Sequence, residues 1–295
     1  MYKICPPPML AAQVYRETAE SISNEKRRQE HLQCTGEIVA KCKEYDHLGK
    51  AAKFETALPS SFHVSNLGVS AMPELYDKQF VRLKKTKVHR DLIKSGAQNN
   101  SCPYCGIGFI SQLDHYLPKS EFHAITVHPH NLVPSCADCN SAKRAYHPSE
   151  DSPAVFHPYF DDVFDFAWLD ATLLQGHDRH TIAKFGVDEK IEDVQLRDRM
   201  LKHLEVFKLQ SRFSSAASQL IQEFERFIRD RTHEFNLESA KSHLKFSIKT
   251  SSALRLNDYR AATYRAMLTS PWYLNSLLVS DYLVIFSLLL DTADC

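Results

Sequence analysis

The sequence has no surplus of either charge: 36 Lys and Arg face 36 Asp and Glu over 295 residues. A chain that gripped a polyanion over its whole surface would be basic, so only a local patch is left for such a contact. Long apolar runs are missing too. The most apolar stretch, LLVSDYLVIFSLLL at 277–290, has 14 residues and contains Asp281. It is too short and too interrupted to span a bilayer, and a buried helix is expected there. No secretory signal is expected, because the three prolines of MYKICPPPML interrupt what should be an apolar core. There is no internal repeat, no low-complexity tract and no G-x-x-x-x-G-K-[ST] loop, so any dependence on ATP has to come from another chain. These absences predict a soluble cytoplasmic protein with no membrane contact. In that reducing compartment paired cysteines serve as metal ligands rather than disulfides.

What is present falls into three regions: 1–97, 98–150 and 151–295. The first reads mostly as helix, through LAAQVYRETAESISNEKRRQEHL and PELYDKQFVRLKKTKVHRDLIKSG, with a loop at ALPSSFHVSNLGVSAMP between them. The middle region has Gly, Pro, Asn and Cys at close intervals, and no long helix is expected before Cys136. After the Pro- and acid-rich HPSEDSPAVFHPYFDD, helical periodicity returns. Ile191, Val194, Met200, Leu201, Leu204 and Phe207 share one expected face; Phe213, Leu220, Ile221, Phe224, Phe227 and Ile228 share another. Two more apolar helices are expected at 252–268 and 272–290. Helical flanks therefore enclose a small irregular core.

Cys102 and Cys105 form one C-x-x-C pair, and Cys136 and Cys139 form another, 30 residues on. Two such knuckles complete a tetrahedron of thiolates, which suits a structural Zn2+. A unit of this size buries little apolar area, and a bound zinc adds roughly 10 kcal/mol or more of folding free energy. Cys5, Cys34, Cys42 and Cys295 show no ligand pattern and are expected to pack or lie at the surface.

Between the pairs, IGFISQLDH reads as a strand, Tyr116 to His130 as a loop and NLVPS as a second strand; ADCNSAKRAY starts a helix. The Asp114–His115 pair, Asn131, and N-x-x-K at 140–143 stand in this frame in an order that resembles the HNH endonuclease family. The resemblance covers about residues 98–147 and implies an α+β chain: a small zinc-bound ββα-metal core between mainly α-helical flanks. It implies His115 as general base, Asp114 and Asn140 as ligands of a catalytic Mg2+ or Mn2+, and Asn131 as the brace of the long loop. Lys143, one turn after Asn140, shares its face and reads either as a phosphate contact or as a solvated lysine. The family's third position is His, whereas this chain has Asn140, as in the branch that includes the HNH domains of CRISPR effector nucleases.

The residue chemistry agrees. An Asp carboxylate and an Asn carbonyl are hard oxygen donors of the kind Mg2+ takes, and an imidazole with an ordinary pKa of about 6.5 suits a base at neutral pH. Neighbours in a regular strand point to opposite faces, so Asp114 and His115 can serve one phosphate only if the strand ends or twists there. Pro118 is consistent with that.

The runs LDHYLPKSEF, NLVPSCADCN and HPYFDD are also similar to nuclease subunits of Septu-type anti-phage defence systems, which work beside an ATPase. That likeness implies a DNA substrate, an ATPase partner and flanks that dock it. Two other readings stay open: a non-catalytic zinc adaptor for nucleic acid or protein, and an RNA-cleaving enzyme with the same motifs. RLKKTKVHRDLIK at 82–94 carries six Lys/Arg against one Asp and reads either as a nucleic-acid contact or as a solvated face. HPYF at 157–160 and HDRH at 177–180 are assigned to packing or surface; His123, His128 and His130 are read as loop histidines, with an approach to the catalytic metal as the alternative, His130 foremost because it precedes Asn131.

Overall fold

The computed structural model describes residues 1–176, 180–229 and 236–277. Residues 271–277 are helical; the rest of the helix expected to 290 lies outside the described residues, as does most of HDRH. The chain divides into two units, Met1–Val163 with Asp198–Phe207, and Phe164–Arg197 with Lys208 onward. No helix among the described residues is long and apolar enough to cross a membrane.

The first unit begins with α1 (Ala11–Ala19), α2 (Glu25–Gln33) and α3 (Thr35–Lys50). Ile38, Cys42, Tyr45 and Gly49, spaced by three and four, form the buried stripe of α3. Gly49 is there because a ring needs the space: a Cβ would meet Phe160 at 2.5 Å. That ring is hemmed in by Tyr45, Phe54 and His157. Alanine gains about 1 kcal/mol of helix propensity over glycine, but overpacking a filled site costs about 1–3 kcal/mol. Gly49→Ala is therefore expected to lower the melting temperature, and an unchanged or raised value would show that the ring yields freely.

The single helix expected over PELYDKQFVRLKKTKVHRDLIKSG is broken. Helix α4 (Ala71–Glu74) runs into a π-helical turn, Leu75–Phe80, closed by Val81 N–H on the Tyr76 carbonyl at 2.8 Å. Helix α5 (Lys87–Ser95) starts afresh after a turn. Buried Thr86 is the cause: its hydroxyl lies 2.9 Å from the carbonyls of Gln79 and Phe80, and Arg90 also donates to the Phe80 carbonyl. A side chain that satisfies those carbonyls removes the need to continue the helix.

Strands β1 (Gln112–His115) and β2 (Leu132–Ser135) pair antiparallel, with His115 opposite Leu132, and α6 (Ala137–Lys143) follows. The α+β core with strand, loop, strand and helix is thus as the sequence implies. Residues 198–207 of α7 (Val194–Val206) and its C-terminal turn complete this unit. His203 Nδ1 accepts from Phe156 N–H, Nε2 donates to the Tyr104 carbonyl at 2.9 Å, and Phe207 stacks on Tyr104. Met200 and Leu204 are buried as expected, whereas Val194 is 69% and Leu201 41% exposed. The buried stripe of α7 is narrower than the apolar pattern, and His203 takes one of its places.

The second unit holds a hairpin that the helical reading did not foresee, β3 (Leu169–Gln175) with β4 (Thr181–Val187). Leu169, Ala171 and Leu173 alternate inward on one strand, and Ala183, Phe185 and Val187 on the other. Helices α8 (Leu209–Arg229), α9 (Leu237–Leu254) and α10 (Tyr259–Thr269) belong to the same unit, α8 against β4 and α10 against β3. The helix expected at 252–268 is split where Asn257 turns inward. Its side chain accepts from Trp168 N–H at 2.8 Å and Leu169 N–H at 3.0 Å and donates to the Phe166 carbonyl at 2.9 Å.

Candidate active site and zinc centre

The four paired thiols meet. Cys102, Cys105, Cys136 and Cys139 are all buried, with their sulfurs within 4.8 Å of one another. Cys105 and Cys136 Sγ are 3.8 Å apart, which matches the edge of a tetrahedron with Zn–S bonds of about 2.3 Å. Backbone amides already serve the sulfurs: Gly108 N–H points at Cys105 Sγ and Cys139 N–H at Cys136 Sγ, each at 3.4 Å. Gly106, at φ 75°, makes the first knuckle possible. The donor set fits Zn2+ and leaves no position open for chemistry. Cys5 is exposed, and Cys34 and Cys42 are buried apart from this cluster, as packing residues are.

Strand β1 ends at His115, and the chain bends at 116–117. That ending lets Asp114 and His115 line one cleft of about 660 Å³ together with Asn140 from α6. Arg90, Lys94, Lys119 and Arg144 line it as well, so the cleft is cationic in a chain without net charge. Lys94 is turned to the Ser111 carbonyl and Lys119 to Asp77. Of the basic string at 82–94, Arg82, Lys84, Lys85 and Lys87 stay exposed, Lys87 paired with Asp91.

His115 Nε2 lies 2.8 Å from the Thr126 carbonyl. A carbonyl only accepts, so Nε2 carries the proton and Nδ1 keeps its lone pair. Burial holds the imidazole pKa down to about 3, so the ring rests neutral with the Nδ1 lone pair free, and taking up a proton needs compensating negative charge in the cleft. Tyr76, from the π-helical turn, packs edge-on against the ring with centroids 4.4 Å apart. Asn131 is fully buried and braces the long loop: its carbonyl accepts from Leu117 N–H at 2.8 Å, and its amide donates to Leu117 and Ile125 carbonyls at 3.0 and 3.3 Å. Through Ile125 this brace places the neighbouring Thr126 carbonyl, and so the His115 ring.

Asp114 is 2% exposed. Its carboxylate accepts from Tyr104 OH at 3.0 Å and pairs with Lys143 Nζ at 3.3 Å. Burial pushes its pKa up, with Lys143 and Tyr104 opposing. Asn140 gives its amide nitrogen to Gln112 Oε1, which leaves its carbonyl oxygen as the donor atom. A carboxylate and an amide carbonyl at one cleft are a donor set that fits a hard divalent cation.

Lys143 is not where a phosphate-facing lysine would be. Its side chain is 0% exposed, and Nζ donates to the His115 carbonyl at 2.6 Å as well as pairing with Asp114. Burial pushes its pKa down, against the pull of Asp114. It holds the strand end from behind. Breaking a buried pair by removing one partner costs about 3–5 kcal/mol. Lys143→Met is therefore expected to lose that much stability in denaturant titration, and adding Asp114→Asn should recover part of it. Near-zero loss in the single variant would mean that the pair is not formed.

Tyr104, Tyr76 and Thr126 were not singled out from sequence. Tyr104 had a signal, since it stands inside the first knuckle; Tyr76 and Thr126 had none, because only the fold brings them to His115.

Residues 102–145 match the family model for the HNH endonuclease. The chain is similar to protein ea31 of Escherichia phage lambda, 33% identical over 125 residues, covering 40% of this chain and 41% of that protein. It is also similar to the Septu protein PtuB of Bacillus thuringiensis, 31% identical over 85 residues, covering 27% of this chain and 32% of that one. The chain thus spans well under two thirds of either relative. No solved structure matches. Zinc knuckles, strand end, braced loop and helix together make residues 102–145 a domain of the HNH endonuclease family.

Proposed function

We propose that the protein is a divalent-metal-dependent endonuclease that hydrolyses DNA phosphodiester bonds in the cleft beside His115. The observation that carries this reading is the 2.8 Å contact of His115 Nε2 with the Thr126 carbonyl, which sets the tautomer. With Nε2 committed to the Thr126 carbonyl, Nδ1 takes a proton from the attacking water while Asn131 and Tyr76 keep the ring in place. Asp114 and Asn140 would hold Mg2+ or Mn2+. When bound, such an ion supplies positive charge for the phosphate and the departing oxygen. Arg90, Lys94, Lys119 and Arg144 attract the backbone of the nucleic acid and orient it in the cleft. Lys143 acts as a positioning residue, through Asp114 and the His115 carbonyl.

In this reading 98–150 is the nuclease core, and 1–97 and 151–295 are the flanks that hold substrate or partner. The reading places the protein in a defence setting beside an ATPase partner, in the cytoplasm; the likeness to a Septu protein supports the defence setting. The test is nicking of supercoiled plasmid by zinc-loaded protein with Mg2+, beside matched single-stranded RNA, with and without a candidate partner ATPase. DNA nicking that needs the divalent ion supports the reading. RNA cleavage alone would move the substrate class. No cleavage of either nucleic acid, with the ATPase present, would leave a zinc-stabilised binding module.

A further inference from the structure

The long loop that Asn131 braces is also tied from its other side. Asp46, just before the last turn of α3, accepts at one oxygen, Oδ1, from two rings: His128 Nε2 at 2.9 Å and His130 Nδ1 at 2.7 Å. The three donor atoms lie within 4.8 Å of one another. We propose that Asp46, His128 and His130 form a second metal site, for a borderline divalent transition metal such as Zn2+, that fastens α3 to this loop. The proposal does not depend on the nuclease reading.

Convergence is the first argument. An ordinary acid–histidine bridge needs one ring, whereas here two rings from H-P-H turn to the same oxygen. The His128 ring has nothing else to orient it by hydrogen bonding, because its buried Nδ1 has no partner. Its other constraint is the Tyr45 ring, edge-on at 5.2 Å. Tyr45 also points its hydroxyl at the His130 carbonyl at 3.3 Å, so consecutive residues of α3 set both the third ligand and the rings. Such support behind the ligands is what a metal site requires.

Donor chemistry is the second. Two imidazoles and one carboxylate take zinc and its neighbours in the transition series, whereas the oxygen pair Asp114 and Asn140 takes Mg2+, and the four thiolates take zinc. Three donor sets of different softness sort their ions. Access is the third: the side chains of His130 and Asp46 are 22% and 25% exposed, so an ion can enter and keep water on its open side, while His128 is 2% exposed. None of the three residues lines the catalytic cleft.

The test is Zn2+ titration of protein that already holds its thiolate-bound zinc, in excess Mg2+, with bound metal counted by elemental analysis. Uptake of a second equivalent is expected, with histidine scattering added to sulfur in the zinc X-ray absorption spectrum. Asp46→Asn and His130→Ala should each weaken it by more than the roughly 10–100-fold that loss of a mere supporting group costs. Asp114→Asn should leave it intact. A wild-type protein that stops at one equivalent overturns the proposal. So does a second equivalent without histidine scattering, or one that both variants keep, or one that a folded Asp114→Asn protein lacks. The absorption spectrum of the wild type decides the matter even if a variant fails to fold.

Discussion

His115→Ala is expected to lower plasmid nicking by roughly 10²–10⁴-fold, the usual worth of a positioned general base. Little else should change. The imidazole makes one hydrogen bond, to the Thr126 carbonyl, and one ring contact, to Tyr76. Loss of a bond of that kind costs about 1 kcal/mol, and for a unit of this size that is roughly 2–4 °C in melting temperature. Zinc content should stay the same. An Asn131→Leu variant serves as the contrast: it leaves the base in place but strips the loop of three hydrogen bonds, so it should lower both the melting temperature and the rate. Equal nicking by parent and His115→Ala would remove His115 from the chemistry, because no other histidine among the described residues lines that cleft.

Loss of zinc is expected to be the larger structural effect. A structural zinc contributes an apparent 10–16 kcal/mol, roughly, and a whole domain is stable by about 5–15 kcal/mol. Stripping the ion should therefore unfold the first unit outright. Cys136→Ser should do nearly the same, since this sulfur also receives the Cys139 amide at the start of α6 and so places Asn140 and Lys143. The second unit has its own buried hairpin and helices. Helical circular dichroism should thus fall only in part, while nicking disappears. A Cys136→Ser protein with full zinc and an unchanged melt would show that the four thiols do not share an ion.

The core was legible because its signals are local and chemical. C-x-x-C knuckles, the Asp114–His115 pair, Asn131 and N-x-x-K stand in an order that prescribes strand, loop, strand and helix; β2 and α6 follow it closely, while β1 takes only the last four residues of IGFISQLDH. What escaped depends on contacts between distant residues. Lys143 was read by its spacing from Asn140, which is right for a shared helix face, but spacing does not say that Asp114 waits behind that face to draw the ammonium inward. Asp46 lies 82 residues from His128, with nothing in either segment to join them. The helix break at Thr86 needed the buried hydroxyl to be seen against its carbonyls. The hairpin is a different case. Its alternation of Leu169, Ala171 and Leu173 is plain in the sequence, and the helical periodicity on either side obscured it.

The closure of the first unit by residues 198–207 has a consequence for how the protein is made. His203 meets Tyr104 from 99 residues further along the chain. At about 5–20 residues per second on the ribosome, that delay is roughly 5–20 s. During it the knuckle and the strand end that carry Asp114 and His115 already exist as polypeptide, but the wall behind Tyr104 does not. A nascent chain therefore passes through a stage with its paired cysteines exposed and its cleft unfinished, and under the proposed function cutting competence emerges only late in synthesis, after α7 has left the ribosome.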